Sequence, residues 1–194
     1  MVEIVSMKWY LFYVFFFYMF SPLIESEEKI YKMDYKKCGL NNKARALAKL
    51  IINDLRQNRT LLKCNSKLSI IAEKKAIEMS KLGRVSHIGK SPANRRLINE
   101  GYALSKIYPS LFENNVEAVA GGISDPSEVW IEFKESRAHR IHLLAEHKFY
   151  LLQNEIGVGF YSDKKTAHVE YWVVYIAHQR EKEIYRGSIA ESKN

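Results

Sequence analysis

The side chains best suited to acid–base chemistry or metal binding in this sequence are its six histidines. One of them, His87, directly follows Ser86. A nucleophilic serine needs a base and a third group that orients the base, and an adjacent Ser-His pair supplies no such arrangement. The sequence contains no glycine-rich phosphate loop, no Cys-x-x-Cys pair and no Gly-x-Ser-x-Gly elbow. Four further histidines are interpreted as surface or strand residues: His142, His147, His168 and His178.

Three helices that could position such side chains are predicted between residues 42 and 135. Apolar residues at spacings of three and four predict the first helix over residues 42–57. The second begins at a cap, Asn65 or Ser66, and ends at Gly83. The third is predicted over residues 125–135, because an aspartate cap is followed by proline and, three residues after the cap, by glutamate.

A β-hairpin is predicted after the helices. Residues 155–161 and 169–177 are rich in Val, Ile, Tyr and Trp and are separated by a polar turn. Gly157 and Gly159 in the first strand predict a close backbone approach by another element. Helices followed by an antiparallel hairpin predict an α+β layered fold and argue against a doubly wound parallel sheet.

The N-terminal segment contains twelve consecutive apolar residues, from Trp9 to Phe20. As a helix this run would rise about 18 Å, which is short of the roughly 30 Å core of a bilayer. We therefore expect residues 1–26 to be a signal peptide, with a retained N-terminal membrane anchor or a buried core helix as alternatives. A signal peptide or an anchor places the protein outside the cytoplasm, as a secreted, periplasmic or membrane-anchored protein. A polar lead-in (residues 27–40), one domain (41–179) and a charged tail (180–194) would follow.

The remaining compositional signals are charge and cysteine content. The net charge of +8 comes from scattered cations without a basic stripe interleaved with aromatic residues, so no nucleic-acid partner is predicted. Cys38 and Cys64 are the only cysteines. In an oxidising compartment they are expected to form a disulfide, with two free buried thiols as the alternative.

Several short motifs occur in an order typical of one family. They are Val85-Ser86-His87, Arg96-Leu97, Gly101-Tyr102, Glu117 to Gly122, Trp130, Ser136 to Arg140 with Leu143-Leu144, and Glu155 to Gly159. In that order residues 43–178 closely resemble the CAP superfamily (cysteine-rich secretory proteins, antigen-five and plant pathogenesis-related proteins), especially its short bacterial SCP-domain members. The resemblance implies an α-β-α sandwich with a small antiparallel sheet. It also implies a cleft where two histidines and two glutamates converge, a tetrad that holds a divalent metal in some members.

The resemblance carries the two histidines of the tetrad over directly and the first glutamate with a departure from the pattern. His87 matches the first histidine and His139 the second. The first glutamate is matched by Glu117, which has Ala118 where the family usually has asparagine. The alternative is Glu113, which is followed by an asparagine but then by a second polar residue.

The second glutamate departs from the family pattern. Many members place it three residues after the tryptophan, but that position is Phe133 here. The nearby candidates are Glu128, Glu132 and Glu135, which share one helical face and leave the fourth position unassigned. His87, His139 and Glu117 could bind Zn²⁺, or the same groups could form a hydrogen-bonded polar cluster without metal.

Three functions remain open at this point. The first is a non-catalytic extracytoplasmic binding module that takes up a lipid-like or small amphipathic ligand, as the resemblance implies. The second is a metal-dependent hydrolase in which a metal-bound water at His87 and His139 attacks an ester or peptide and Glu117 acts as general base. The third is a membrane-anchored structural or interaction protein, which requires that residues 1–26 be retained. Fold alone does not decide among these functions.

Overall fold

The computed structural model describes residues 33–180 of the chain. The predicted signal peptide or anchor (residues 1–26) and the charged tail beyond Arg180 lie outside the described residues. Within residues 33–180, no helix is both long and apolar enough to cross a membrane. The end of the expected lead-in is packed on the domain, since Tyr35–Cys38 form a 3₁₀ turn and Cys38 is fully buried.

Two long helices form the first half of the domain. Helix α1 spans Asn42–Ile52 and is capped by the side chain of Asn41. The predicted end of this helix at residue 57 is wrong, because the Asp54 side chain accepts a hydrogen bond from the backbone N–H of Arg56 and so stabilises a turn. Helix α2 spans Ser66–Leu82 and ends at Gly83, whose left-handed backbone (φ 63°) matches the prediction.

Four shorter helices follow. They are α3 (Ala93–Asn99), α4 (Pro126–Glu135), α5 (Arg137–Leu143) and α6 (Lys148–Leu151). Helix α4 is capped by the Asp125 side chain, which accepts from the N–H groups of Ser127 and Glu128, as the sequence predicted. Helices α3, α5 and α6 were not predicted, because each has seven residues or fewer and therefore shows too little of the helical period.

Four strands form one sheet within the described part of the chain. They are β1 (Lys63–Cys64), β2 (Glu117–Gly121), β3 (Glu155–Ser162) and β4 (Glu170–Ala177), in the order β1-β3-β4-β2. The predicted β3–β4 hairpin is confirmed, and β2 is also antiparallel to β4. The sheet is nevertheless mixed, because the two-residue strand β1 pairs parallel with β3. The expected small antiparallel sheet is therefore confirmed for β2, β3 and β4, and β1 adds a short parallel pairing at one edge.

The sheet lies between two layers of helices. Trp172, Val174 and Ile176 of β4 pack with α1, α4 and α5 on one face. The alternate residues of the same strand, including Tyr171 and Tyr175, pack with α2 and α3 on the other face. This alternation follows from the two-residue period of a strand. The α+β class and its layered α-β-α arrangement are confirmed.

Helix α2 lies unusually close to β3. A Cβ atom at Gly157 would overlap the backbone nitrogen of Ser69, and one at Gly159 would overlap the backbone of Ala72. Glycine is needed at both positions, as predicted, because the backbones of α2 and β3 meet there. Because His87 lies in the loop that follows α2, this contact also fixes the point from which that loop starts.

The disulfide between Cys38 and Cys64 is confirmed, with Cα atoms 4.6 Å apart. It joins the 3₁₀ turn to β1 at the start of α2. A hydrogen bond from the Ser69 hydroxyl to the carbonyl of Lys37 (2.8 Å) holds the same turn. Together these contacts explain why the end of the lead-in belongs to the packed domain.

Candidate functional site

Glu117 lies at the centre of the candidate site, as the first residue of β2. Its side chain is fully buried, and Tyr175 on the neighbouring strand donates a hydrogen bond from its hydroxyl to Oε2 (2.5 Å). The antiparallel register aligns these two residues directly. Burial, and next the charge of Glu117, raise the pKa of Tyr175, so its hydroxyl keeps its proton and remains a donor.

His87 lies in the loop between α2 and α3 and reaches the other oxygen of Glu117. Its Nδ1 atom is 2.9 Å from Oε1, and 43% of its side chain is exposed. The Lys75 ammonium donates to the His87 carbonyl oxygen (3.4 Å), which holds the loop against α2. The imidazole therefore faces solvent on one edge and a buried carboxyl group on the other.

Asn114 joins the histidine and the glutamate. Its Oδ1 accepts from the backbone N–H groups of Val116 (3.3 Å) and Glu117 (2.9 Å), so the orientation of the amide is fixed. Its Nδ2 donates to the Glu117 carbonyl oxygen and lies 3.0 Å from His87 Nδ1. With a hydrogen on Nδ1, His87 donates to Glu117. In the other tautomer, Nδ1 accepts from Asn114.

His139, on α5, lies across from His87. The two ring centroids are 6.4 Å apart, and the Phe133 ring packs edge-on against His139 at 5.0 Å. Burial, and next the charge of His87, lower the pKa of His139, which keeps this imidazole neutral at neutral pH.

These groups surround one small hollow, hereafter the polar cleft, with a volume of about 150 Å³. It is lined by His87, Asn114, Asn115, Glu117, Ala138, His139, His142 and Tyr150. The structure therefore brings His87, Glu117 and His139 into the same hollow. Hydroxyl or amide groups from Tyr150, Asn114 and Asn115 complete its polar wall.

The other glutamates considered for the tetrad do not line the polar cleft. Glu128, Glu132 and Glu135 are exposed on α4, and Glu113 is exposed beside a neighbouring hollow. The buried side chain that reaches His139 from α4 is Phe133, which is 1% exposed. An aromatic ring therefore lies where the resemblance implied a fourth ligand.

The residues of the polar cleft do not fit a bound metal ion. Both carboxyl oxygens of Glu117 already have partners, Oε1 in His87 and Oε2 in Tyr175. The ring of Phe133 offers no ligand atom. Among residues 33–180, no group of three or more His, Cys, Asp or Glu side chains is arranged to hold a metal. The chemistry proposed for this site therefore involves no zinc ion.

A second hollow of about 270 Å³, hereafter the apolar hollow, adjoins the polar cleft. The two share His87 and Asn114 as a common wall. Ile88, Ala93 and Phe112 give the second hollow its apolar character, and Ile88 and Phe112 are 74% and 73% exposed. Two large exposed apolar side chains at one rim form a patch of the kind that marks ligand or partner sites, and the Arg95 guanidinium lies 4.6 Å from the centroid of the Phe112 ring.

Sequence reasoning missed five polar residues of the site: Asn114, Asn115, His142, Tyr150 and Tyr175. Tyr175 required knowledge of the β2–β4 register, and Asn114 entered only as a neighbour of Glu113. The interpretation of His142 as a surface or strand residue is wrong. It is 5% exposed on α5, packs against Tyr150 and has a pKa lowered to about 3 by burial and by Arg59. The periodicity of α5 was too short to reveal its buried face.

Comparison with known proteins gives a likeness in fold. No family model and no curated protein matches the chain. Among solved structures, the chain is similar to an outer surface protein from Borrelia burgdorferi, with a TM-score of 0.55 and 18% sequence identity. The likeness covers 77% of this chain and 98% of that one. At this identity it shows the fold alone.

Proposed function

We propose that this protein is an extracytoplasmic binding module of the CAP or SCP type that takes up a small amphipathic or lipid-like ligand. The polar end of the ligand contacts His87 and Asn114 in the polar cleft. Its apolar part lies against Ile88 and Phe112 in the apolar hollow. The observation that carries this proposal is the common wall between a polar and an apolar hollow.

The chemistry of the polar cleft favours binding over catalysis. Its lining includes no serine, threonine or cysteine that could act as a nucleophile. The buried carboxyl group is held by Tyr175 and His87, so it is structurally satisfied before any ligand arrives. The outer edge of His87 remains available as a hydrogen-bonding group for a polar head.

The sizes of the two hollows limit the ligand. Each is smaller than the roughly 300–1,000 Å³ of common ligand pockets, and together they reach the lower part of that range. A ligand that uses both hollows is therefore a small amphiphile or one end of a larger lipid.

Two observations support an extracytoplasmic location. A disulfide between Cys38 and Cys64 is favoured in oxidising compartments. The similar fold of a bacterial outer surface protein agrees with a secreted or envelope-associated protein. The expected signal peptide over residues 1–26 would deliver the chain there, and the retained-anchor alternative would tether it to the membrane. A mature N-terminus near Glu27, measured by mass spectrometry, distinguishes the first case from the second.

The proposal is tested by lipid analysis of the purified protein and by calorimetric titration with decanoic acid. We expect co-purified amphiphile, and weaker decanoic acid binding in Ile88→Ser and Phe112→Ser. The matched control is Ile131→Ser, since Ile131 is also exposed (51%) but lies on α4 outside both hollows. Absence of bound lipid together with no decanoic acid binding would contradict the proposal. Equal weakening in all three variants would also contradict it.

The metal-dependent hydrolase makes a different demand. It requires about one bound ion per chain in protein purified without chelators, lost in His87→Ala and His139→Ala. The partners already held by Glu117 and the position of Phe133 argue against such a site. Elemental analysis that found one ion, lost in both variants, would restore this alternative.

A further inference from the structure

A separate hollow of about 710 Å³, hereafter the basic hollow, lies between α2, α3 and the loop that joins them. None of His87, Glu117 and His139 lines it. Its wall includes five basic side chains: Lys74, Lys81, Arg84, Lys90 and Arg96. The basic hollow is therefore distinct from the polar cleft in both position and charge.

Within residues 33–180, two of these five cations are paired with a carboxylate. Lys74 forms an ion pair with Glu100 (2.6 Å), and Arg96 forms two hydrogen bonds with Glu78 (2.8 and 3.0 Å). Among residues 33–180, the side chains of the other three have no ion-pair or hydrogen-bond partner, and Lys90 takes part only through its backbone N–H. Among the described residues, three positive charges without an acidic partner thus surround one concave surface, where they repel one another unless an anion binds.

The floor of the basic hollow is built from a buried ionic cluster. The Glu78 carboxyl group accepts from Arg96 and from the backbone N–H of Lys90 (2.9 Å), and the fully buried Lys75 ammonium lies 3.9 Å away. Gly89 lies so close that a Cβ atom there would overlap Glu78 Oε1. The loop is therefore fixed against the cluster, and the hollow is largely formed before any ligand arrives.

Arg96 is a further feature of the basic hollow that favours an anionic ligand. It is 5% exposed, lines the basic hollow, and its buried Nε atom has no hydrogen-bond partner in residues 33–180. The guanidinium geometry suits phosphate as well as carboxylate. Ile77 and Leu82 add apolar surface to the wall, which suits an organic body attached to an anionic group.

We propose that the basic hollow binds a phosphate monoester through Lys81, Arg84 and Lys90. Such a group carries roughly two negative charges and three acceptor oxygens, which match three uncompensated cations around one concavity. The phosphate belongs either to a free organic phosphate or to the headgroup of a lipid such as phosphatidic acid. The basic hollow shares Gly89 with the apolar hollow, but none of the residues that carry the amphiphile proposal (His87, Ile88, Phe112 and Asn114) lines it.

Calorimetric titration of the full chain with glycerol 3-phosphate at low salt tests the free form. The triple variant Lys81→Ser, Arg84→Ser, Lys90→Ser removes the three uncompensated charges, all of which are on exposed side chains. We expect this variant to raise the dissociation constant at least about tenfold, because three exposed charge interactions are lost together. Sedimentation with phosphatidic acid vesicles, against phosphatidylcholine vesicles, tests the lipid form with the same variant.

The matched control is Lys106→Ser, Lys164→Ser, Lys165→Ser, which removes the same charge from exposed side chains outside the basic hollow. It should bind either probe as the wild type does. Binding of either probe that is lost only in the first triple variant supports the proposal, and the probe that binds identifies the source of the phosphate. The proposal is overturned if the wild type binds neither probe, or if the two triple variants are equally weakened.

Discussion

Tyr175→Phe is the substitution that most directly probes the buried half of the site. It removes the hydroxyl that donates to Oε2 of Glu117 and leaves every carbon atom of the ring in place. Both side chains are fully buried, so water cannot replace the lost donor without a rearrangement. A buried acceptor that loses its partner costs about 1–3 kcal/mol, and more when it is charged. We therefore expect the free energy of unfolding to fall by about 1–3 kcal/mol, or by more if the Glu117 carboxyl group is charged.

The same strand offers a matched control. Tyr171 is also fully buried, but its hydroxyl has no hydrogen-bond partner in residues 33–180. Tyr171→Phe should therefore change the free energy of unfolding by less than about 0.5 kcal/mol or stabilise the protein slightly. Equilibrium unfolding in urea, with unchanged slopes, measures both values. Equal losses in the two variants would refute the argument that the bond to Glu117, and not the loss of a hydroxyl as such, is responsible.

Three further predictions follow from other parts of the fold. The lowered pKa of His142 (about 3) means that the unfolded chain gains a proton below about pH 6.5 that the folded chain does not. The contribution of His142 to the free energy of unfolding is therefore fully present above that pH. It falls by up to about 1.4 kcal/mol per pH unit as the solution is acidified. Urea unfolding at several pH values should show a shallower loss in His142→Gln than in the wild type. Reduction of Cys38–Cys64 should lower the free energy of unfolding by about 3 kcal/mol, measured with and without reductant. Gly159→Ala should lower the melting temperature, because the added methyl group meets the backbone of α2 and overpacking costs about 1–3 kcal/mol, whereas Ser162→Ala at the exposed end of β3 should change it little.

Local signals in the sequence were enough for the elements whose ends are set by nearby residues. Helix α2 begins at the Asn65 cap and ends at Gly83, and both features act within one turn of the chain. The hairpin was predictable because two strands of eight residues show strong β-branched and aromatic enrichment. The end of α1 was not, since a side-chain turn at Asp54 competes with a pattern that continues to Leu55.

The candidate site depended on long-range geometry that residue patterns do not contain. The placement of His87, Glu117 and His139 in one hollow was implied by a family resemblance, not by their spacing in the chain. Tyr175 could not be found without the strand register that pairs it with Glu117. Phe133 was visible as a departure from the family pattern, but only the structure shows its ring against His139.

Chemical-shift mapping of the isotopically labelled full chain during titration with decanoic acid tests the central claim most directly. The shared wall of the polar cleft and the apolar hollow predicts saturable shifts at Ile88, Phe112 and Asn114. Shifts confined to the hollow between α1 and α4, which Leu55 and Trp130 line, would contradict the claim. A titration without saturable shifts would contradict it as well.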